Sequence, residues 1–188
     1  MHTIEVTMER PTLDYLPPCT KNLPCTFREY QTGDDISWAR IQTDADRYNT
    51  ITPDLFAREF GSDALQHVRR ILFAMSPNEE VVGTSAAWWG SSPNEEWGRV
   101  HWVAVLPAWQ GKGIGRELLV ETCQRLRQLG HGKVFLTTSP VRLEALHLYR
   151  SLGFVPRLVN QEHRNAWHEI AIALGDVELK SWLGTHPS

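Results

Sequence analysis

The stretch that most constrains the fold is residues 100–116, where an apolar run ends at a proline and a glycine-rich turn opens a helical pattern. Val103, Ala104 and Val105 belong to a short apolar run of the kind found in strands that are buried on both faces. Pro107 cannot donate a hydrogen bond to a sheet ladder, so strand pairing is expected to end there. The sequence therefore predicts a strand, a tight turn and an amphipathic helix in succession.

Three glycines, Gly111, Gly113 and Gly115, lie at the start of that helix. Free backbone N–H groups and the positive end of the helix dipole attract phosphate there, and glycine allows a close approach because it has no Cβ. The alternative is that the glycines only form a tight turn. Two other phosphate motifs do not match: Lys112 stands between glycines, unlike the P-loop lysine, and Leu118 stands where a dinucleotide fingerprint needs its third glycine.

Two motifs in this region resemble those of a known family. Gln110, Gly113 and Gly115 follow the pattern (Gln/Arg)-x-x-Gly-x-(Gly/Ala), which is the acyl-CoA signature of the GNAT superfamily of N-acetyltransferases. Downstream, an alanine at 145, a Leu-Tyr pair ending in Tyr149 and a Gly-Phe pair starting at Gly153 resemble a later motif of the same family. The order and separation of the two motifs are those of the family, and the resemblance covers residues 98–155.

The resemblance implies an α/β fold with a mixed, mostly antiparallel central sheet flanked by helices. It also implies an N-acetyltransferase that moves the acetyl group of acetyl-CoA to a primary amine of a small molecule or peptide, by direct attack in a ternary complex. Two alternatives stay open, which are a catalytically inactive CoA-binding sensor or interaction module and an enzyme that transfers a longer acyl group.

By the same resemblance, the turn binds the CoA pyrophosphate and the preceding strand pairs with the pantetheine amides as an added strand would. A backbone N–H near Val105 would then face the thioester oxygen. The predicted cofactor-binding residues are Val103, Ala104, Val105, Gln110, Gly111, Lys112, Gly113, Ile114, Gly115, Arg116, Ser139 and Arg142.

Two catalytic residues are predicted. Tyr149 matches the family's tyrosine near the CoA sulfur, and a phenol with a pKa of about 10 can protonate a departing thiolate. The alternative for Tyr149 is an aromatic packing residue. His101, on the strand before the turn, is the predicted base, with Glu95 and Glu96 as the next candidates. A strand histidine is equally compatible with burial and structural hydrogen bonding.

Arg142 stands where many family members have an asparagine. Arginine cannot accept a hydrogen bond, so it is expected to meet a phosphate or an acidic acceptor instead. Between the first two predicted strands, aromatic residues at 38, 48 and 56 are candidates for contacting the acceptor or for the core. The acidic residues at 34, 35, 44 and 46 are expected on a solvated helix.

Composition indicates a soluble globular protein whose net charge does not favour a strongly charged partner. The 188 residues carry a formal net charge of -3, which predicts no attraction to nucleic acid or an anionic membrane, and no apolar run is long enough to span a bilayer. Residues 1–11 do not resemble a secretory signal, and three cysteines form no framework, so a cytoplasmic location is expected. The eight histidines lack ligand spacing, which predicts no metal. A monomer or homodimer is expected.

The chain is predicted to divide into an extended proline-rich arm over residues 1–25, an acetyltransferase domain over 26–175 and a C-terminal tail over 176–188. Four prolines argue against a packed helix or strand in the arm. The predicted order is strand, two helices, three strands, helix, strand, helix and two strands, the last two over residues 154–159 and 166–174. A short helix over 176–183 ends the chain.

Overall fold

The computed structural model describes residues 4–19, 22–90 and 96–186, which form one seven-stranded sheet flanked by helices. The strands are β1 (Val6–Arg10), β2 (Thr26–Glu29), β3 (Ile71–Met75), β4 (Val81–Trp89), β5 (Trp97–Val105), β6 (Lys133–Thr138) and β7 (Val155–Pro156). The helices are α1 (Asp34–Ala45), α2 (Leu55–Phe60), α3 (Ala64–Arg70), α4 (Ile114–Gln128), α5 (Leu143–Ser151), α6 (Gln161–Ala173) and α7 (Val177–Thr185), and a 3₁₀ turn spans Pro107–Trp109.

The strand order is β2-β3-β4-β5-β6-β1-β7, and every neighbouring pair is antiparallel except β5 and β6. Those two strands are parallel because α4 carries the chain back between them as a crossover connection. The predicted mixed, mostly antiparallel sheet flanked by helices is confirmed.

A glycine sets how closely α4 approaches the sheet. A Cβ added to Gly98 on β5 would lie 2.5 Å from Leu126 Cδ2 and 3.1 Å from the His131 ring. No side chain fits in that space, so Gly98 lets the helix pack directly on the strand. This contact fixes the helix whose N-terminus carries the glycine turn.

The prediction of an extended arm over residues 1–25 needs correction at Val6–Arg10. These residues form β1, which lies inside the sheet between β6 and β7. Val6 and Met8 are fully buried, and the guanidinium of Arg10 donates to the carbonyl oxygens of Thr12, Tyr15 and Leu152. Alternating apolar residues at 4, 6 and 8 were the available signal, but four prolines over residues 11–24 favoured an unpaired segment.

The end of the chain also differs from the prediction. The strand predicted over residues 166–174 is wrong because Ala166, Trp167, Ile170 and Ala171 are buried on one side of α6, at helical spacing. The Asn160 side chain caps this helix by accepting from the His163 N–H. The strand predicted over 154–159 is reduced to the two residues of β7, and α3 was not predicted. The terminal helix is confirmed as α7.

Buried side chains form two clusters. One joins β1, β6 and α4 to α5, α6 and α7, with Trp167 and Phe154 at 0% exposure. The other joins α1 and α2 to β3 and β4, with Trp38 and Phe73 at 0% exposure. Within the three described ranges, no helix combines the length and the apolar character that a membrane span requires.

Candidate active site

The parallel strands β5 and β6 separate halfway along their length. Their pairing ends at Arg99 and Phe135, yet β5 continues to Val105 and β6 to Thr138. In the part of the chain that the structure describes, no strand therefore lies beside β5 from Val100 onward on that side. A cavity of about 550 Å³ opens in the gap, lined by both strands, by the start of α5 and by residues from α1 and α2.

An extra residue in β5 turns the strand at this gap. Thr84 pairs with Ala104 and Ala86 pairs with His101, so two steps on β4 face three on β5. Trp102 lies in the bulge with φ of 49°, a left-handed conformation that is unusual for a bulky residue, and its carbonyl accepts from Gln42 Nε2 at 3.0 Å. The bulge re-aims the side chains on the cavity side of the strand.

Beyond the bulge, β5 presents backbone groups to the gap. Leu106 donates its N–H to the Val82 carbonyl oxygen on β4 at 2.9 Å. Successive N–H groups of a strand point to opposite sides, so the N–H of Val105 is directed away from β4 and into the gap. Gln110 Nε2 donates to the Val105 carbonyl oxygen at 2.9 Å and ties the turn to the strand.

The glycine turn has the backbone form that the motif predicts. Gly111 and Gly113 have φ of 73° and 83°, and Gly113 precedes the first residue of α4 without a side-chain cap. A Cβ at Gly111 would meet no atom within 4 Å, so the turn is open on that side. The first N–H groups of α4 have no partner inside the helix. These features fit a diphosphate.

Two basic residues of the turn have neighbours within the protein. Lys112 Nζ lies 4.5 Å from the Trp109 ring centre, and an Arg116 nitrogen lies 3.7 Å from Glu117 Oε2. Both contacts leave the positive charges beside the turn. The assignment of the two residues to the cofactor stays a prediction.

Tyr149 of α5 lines the cavity, although only 9% of the residue is exposed. Burial raises the pKa of its phenol to about 12, while the charge of Arg142 acts in the opposite direction. The phenol is therefore fully protonated at neutral pH. Its ring contacts Phe154, so both predicted roles, packing and proton donation, are compatible with the geometry.

His101 forms a hydrogen-bonded pair with a carboxylate from α2. Its Nε2 lies 2.8 Å from Glu59 Oε2, which also accepts from Trp102 Nε1 at 2.9 Å. Burial lowers the pKa of His101, while the bond to Glu59 opposes that shift, so the imidazole is mostly neutral at pH 7. The hydrogen bond from His101 holds the pKa of Glu59 at about 2.

Arg142 lies on the cavity wall, but its charge is already paired. Its Nη2 donates to both carboxylate oxygens of Asp46, at 2.9 and 2.8 Å, and its guanidinium lies 5.3 Å from the Tyr48 ring centre. The Asp46 side chain is only 4% exposed, so the expectation of a solvated carboxylate is wrong at this position. Asp34 is buried as well, in a pair with Arg28. The predicted cofactor role of Arg142 is untested.

The other predicted residues separate into core, cavity and exterior. Trp38 and Phe56 are buried in the core, whereas Tyr48 is 59% exposed and lines the cavity, as does Ser139. Glu96 is exposed at the start of β5 and pairs with Lys133 at 3.2 Å, away from the cavity lining. The alternative base at position 95 lies outside the described residues, as does most of the loop before it.

Sequence reasoning missed several cavity residues, among them Glu59 and Arg99. Arg99 precedes His101 by two positions, so the alternation of a strand places both on one face, and this was the available signal. Glu59 gave no such signal because its contact with His101 crosses 42 positions of sequence. Only the packing of α2 on β5 reveals it.

Three side chains that could together bind a metal ion lie outside this cavity. Ligand atoms of Cys19, Glu117 and Glu121 come within 4.8 Å of one another, with Cys19 exposed. About a hundred residues separate Cys19 from the two acids, so no sequence spacing indicated the group. The prediction that the protein uses no metal stays a prediction.

Relatives among curated proteins match a short part of the chain. A mycothiol acetyltransferase of Thermobifida fusca is 42% identical over 65 residues, which cover 35% of this chain and 20% of that protein. The N-alpha-acetyltransferase RimI of Mycobacterium tuberculosis is 45% identical over 65 residues, covering 35% of this chain and 39% of that protein. The match therefore spans about a fifth of the mycothiol acetyltransferase's length.

Solved structures and a family profile cover more of the chain. A GCN5-related N-acetyltransferase of Sphaerobacter thermophilus shares the fold with a TM-score of 0.66 and 23% identity, over 81% of this chain and 48% of that one. The protein yncA of Salmonella typhimurium, solved with its cofactor acetyl-CoA, has a TM-score of 0.58 at 23% identity, over 70% of this chain and 79% of that one. A profile named Acetyltransferase (GNAT) family matches residues 35–154, well over half of the chain. The chain belongs to the GNAT family of acetyltransferases.

Proposed function

We propose that the protein transfers the acetyl group of acetyl-CoA to a primary amine of a small molecule or peptide, by direct attack in a ternary complex. The observation that carries the proposal is the unpaired edge of β5. It joins the glycine turn at the N-terminus of α4 to the cavity that holds His101 and Tyr149. In this proposal, a cofactor site along the edge of β5 is continuous with an acceptor site in the cavity.

The residues around the opening fit the parts of acetyl-CoA. The turn over residues 110–116 would hold the pyrophosphate with its free N–H groups, and the edge of β5 from Val103 to Val105 would pair with the pantetheine amides. The cofactor supplies a thioester carbonyl for attack and a thiolate as leaving group. The N–H of Val105, directed into the gap, is a donor for the oxyanion that forms during attack.

Two proton transfers are assigned to the chain's own side chains. The neutral imidazole of His101 accepts a proton from the ammonium or from the attacking amine, directly or through a water, and Glu59 stabilises the imidazolium. Tyr149 donates its phenolic proton to the departing thiolate. The new bond joins the amine nitrogen to the acetyl carbon, and the carbon–sulfur bond breaks.

The central test combines calorimetric titration with acetyl-CoA and a thiol-release assay over a panel of primary amines. We expect saturable binding of acetyl-CoA and release of free CoA with at least one amine. Binding without release for every amine would favour the non-catalytic CoA-binding alternative. Failure to bind acetyl-CoA would contradict the proposal as a whole.

Gly115→Leu is expected to weaken acetyl-CoA binding by at least about tenfold, a loss of roughly 1.4 kcal/mol or more. A Cβ at Gly115 would lie 3.7 Å from Leu148 Cδ2 and 3.8 Å from Val105 Cγ2, so a longer side chain extends toward the edge of β5 that the cofactor would use. The position is helical, and leucine favours a helix over glycine. Titration calorimetry of the folded variant measures the effect.

Gly184→Leu is the matched control, because Gly184 lies in α7 with no atom within 4 Å of an added Cβ. It introduces the same side chain into another helix and should leave the dissociation constant unchanged. Unaltered acetyl-CoA affinity in Gly115→Leu would place the cofactor elsewhere.

Glu59→Gln is expected to move the titration of His101 further toward acid. The pKa of His101 already lies below its ordinary value of about 6.5 because the ring is buried, and the Glu59 carboxylate is what opposes that shift. Without that charge the imidazolium is less stable, so the midpoint falls. Imidazole proton chemical shifts followed by NMR against pH give the midpoint, with His101→Gln identifying the signal and the remaining histidines serving as internal references.

The pair of His101 and Glu59 should also matter for turnover. His101→Gln is expected to lower kcat by a factor of about 10² or more, the usual contribution of a general base. An unchanged midpoint in Glu59→Gln would show that the contact between the two side chains is not as described.

A further inference from the structure

Arg99 lies on the same strand and the same cavity wall as His101. Both residues line the opening between β5 and β6, and they are two positions apart, which places their Cα atoms about 7 Å from each other. Arg99 is the last residue of β5 that pairs with β6, so its side chain stands where the two strands separate. It lines the cavity at that point.

Within the described part of the chain, the guanidinium of Arg99 has no hydrogen-bond or ion-pair partner. Its Nε is buried, and no residue in ranges 4–19, 22–90 and 96–186 accepts a hydrogen bond from it. None of the ion pairs between described residues includes Arg99. Burial lowers its pKa, opposed only by the more distant charges of Glu59 and Glu5. Glu5 is exposed, and Glu59 is already bonded to His101.

Among the described residues, the buried Arg10 and Arg70 have partners, and so does the half-buried Arg142, although its Nε also lacks an acceptor. Arg10 donates to three carbonyl oxygens, and Arg70 donates to the Ala87 carbonyl oxygen and lies 4.1 Å from the Trp89 ring centre. Arg142 is bonded to both oxygens of Asp46. A buried donor without an acceptor costs free energy, and native proteins retain few of them. Arg99 therefore differs from the arginines that serve the fold.

A carboxylate is the group whose geometry matches the unpaired N–H donors of this guanidinium. The guanidinium offers several N–H donors in a planar arrangement, and a carboxylate accepts two of them in parallel. Two carboxylates of the described residues line the cavity: Glu59 is bonded to His101 and Trp102, and Glu5 is exposed and forms no ion pair with Arg99. A ligand carboxylate in the cavity would give Arg99 the close partner that neither of these two side chains provides.

We propose that the acceptor is a small amine that also carries a carboxylate, with the carboxylate bound by Arg99 and the amine held toward His101. This inference rests on the proposed acetyltransferase function of the same cavity. Arg99 and His101 are only two positions apart on β5. This short separation favours an amine and a carboxylate joined by a short carbon spacer, as in a free amino acid. A peptide N-terminus lacks this group, because its α-carboxyl carbon is part of an amide.

The test compares free amino acids with the corresponding amino acid amides in the thiol-release assay. The panel contains the twenty L-amino acids, β-alanine and γ-aminobutyrate beside their amides. We expect the wild-type protein to prefer at least one acid over its amide by about 10- to 100-fold in kcat/KM, the size expected for a charge-assisted hydrogen bond pair.

Arg99→Gln is expected to abolish that preference, chiefly by raising KM for the acid, so kcat/KM falls more for the acid than for the amide. Arg99→Lys keeps the charge but loses the planar fork, so it should retain an intermediate preference. Arg58→Gln is the matched control, because Arg58 is exposed on α2 and pairs only with Asp54. Acetyl-CoA titration and thermal melting establish that each variant is folded and binds the cofactor.

The outcomes separate this inference from the proposed function. Equal activity on acids and amides, or a preference that survives in Arg99→Gln, overturns the carboxylate assignment and leaves the acetyltransferase in place. Acetyl-CoA binding with turnover of simple alkylamines but of no carboxylated amine overturns it as well. Only a failure to bind acetyl-CoA contradicts the proposed function itself.

Discussion

Tyr149→Phe is expected to lower kcat by a factor of about 10² to 10⁴, which is the usual contribution of a general acid. The substitution removes one hydroxyl from a side chain that lines the cavity and leaves the buried ring against Phe154. Burial keeps the pKa of the phenol at about 12, so the wild-type residue holds its proton throughout the working range. Thiol-release kinetics at saturating acetyl-CoA and amine measure the change.

Cofactor binding distinguishes a chemical role of Tyr149 from a structural one. The dissociation constant of acetyl-CoA in Tyr149→Phe should stay within a few-fold of the wild-type value, because the ring still packs. Tyr15→Phe is a suitable control, since Tyr15 is 84% exposed and should be neutral in both measurements. If Tyr149→Phe retained the wild-type kcat, the tyrosine would be a packing residue, which is the alternative that the sequence left open.

Met8→Ala is expected to lower the free energy of unfolding by about 2 to 5 kcal/mol, the usual cost of truncating a fully buried methionine. Met8 has no exposed surface and lies at the centre of β1, opposite Leu136 on β6 and Pro156 on β7. Urea unfolding followed by tryptophan fluorescence gives the change. Glu5→Gln, just before the strand and exposed, should stay within about 0.5 kcal/mol of the wild type.

Removal of residues 1–11 should have a larger effect than the point variant. It deletes the strand that joins β6 to β7 and exposes the unpaired edge of β6 together with buried apolar side chains. A truncated chain that folds with wild-type stability would contradict the sheet order described here. It would instead support the proline-rich arm that composition alone indicates.

Elements formed by contacts close in sequence could be predicted. The β3–β4 hairpin, the strand that ends at Pro107, the helix after the glycine turn and strand β6 all follow from local patterns of apolar residues, glycine and proline. The fold class followed from the resemblance of two short motifs. Local propensity is sufficient for these parts because their turn residues and apolar periods agree.

The errors arose where a distant partner decides the conformation. β1 is a strand because β6 and β7 lie on either side of it, whereas its neighbouring prolines argue for an unpaired segment. The α6 residues are apolar enough for a strand, and their helical burial becomes visible only when β1 and α7 pack against them. Tertiary contacts override weak local preferences in both cases.

By itself, the sequence determined that the chain has a strand, a glycine turn and a helix in the order that acyl-CoA-binding proteins use, with Tyr149 at the matching place in a second motif. Only the tertiary structure decided which side chains meet in the cavity. Glu59 reaches His101 across 42 positions, and Asp46 reaches Arg142 across 96. The physical reason is that a hydrogen bond between side chains depends on their distance in space, and the packing of α1 and α2 against β5 sets that distance.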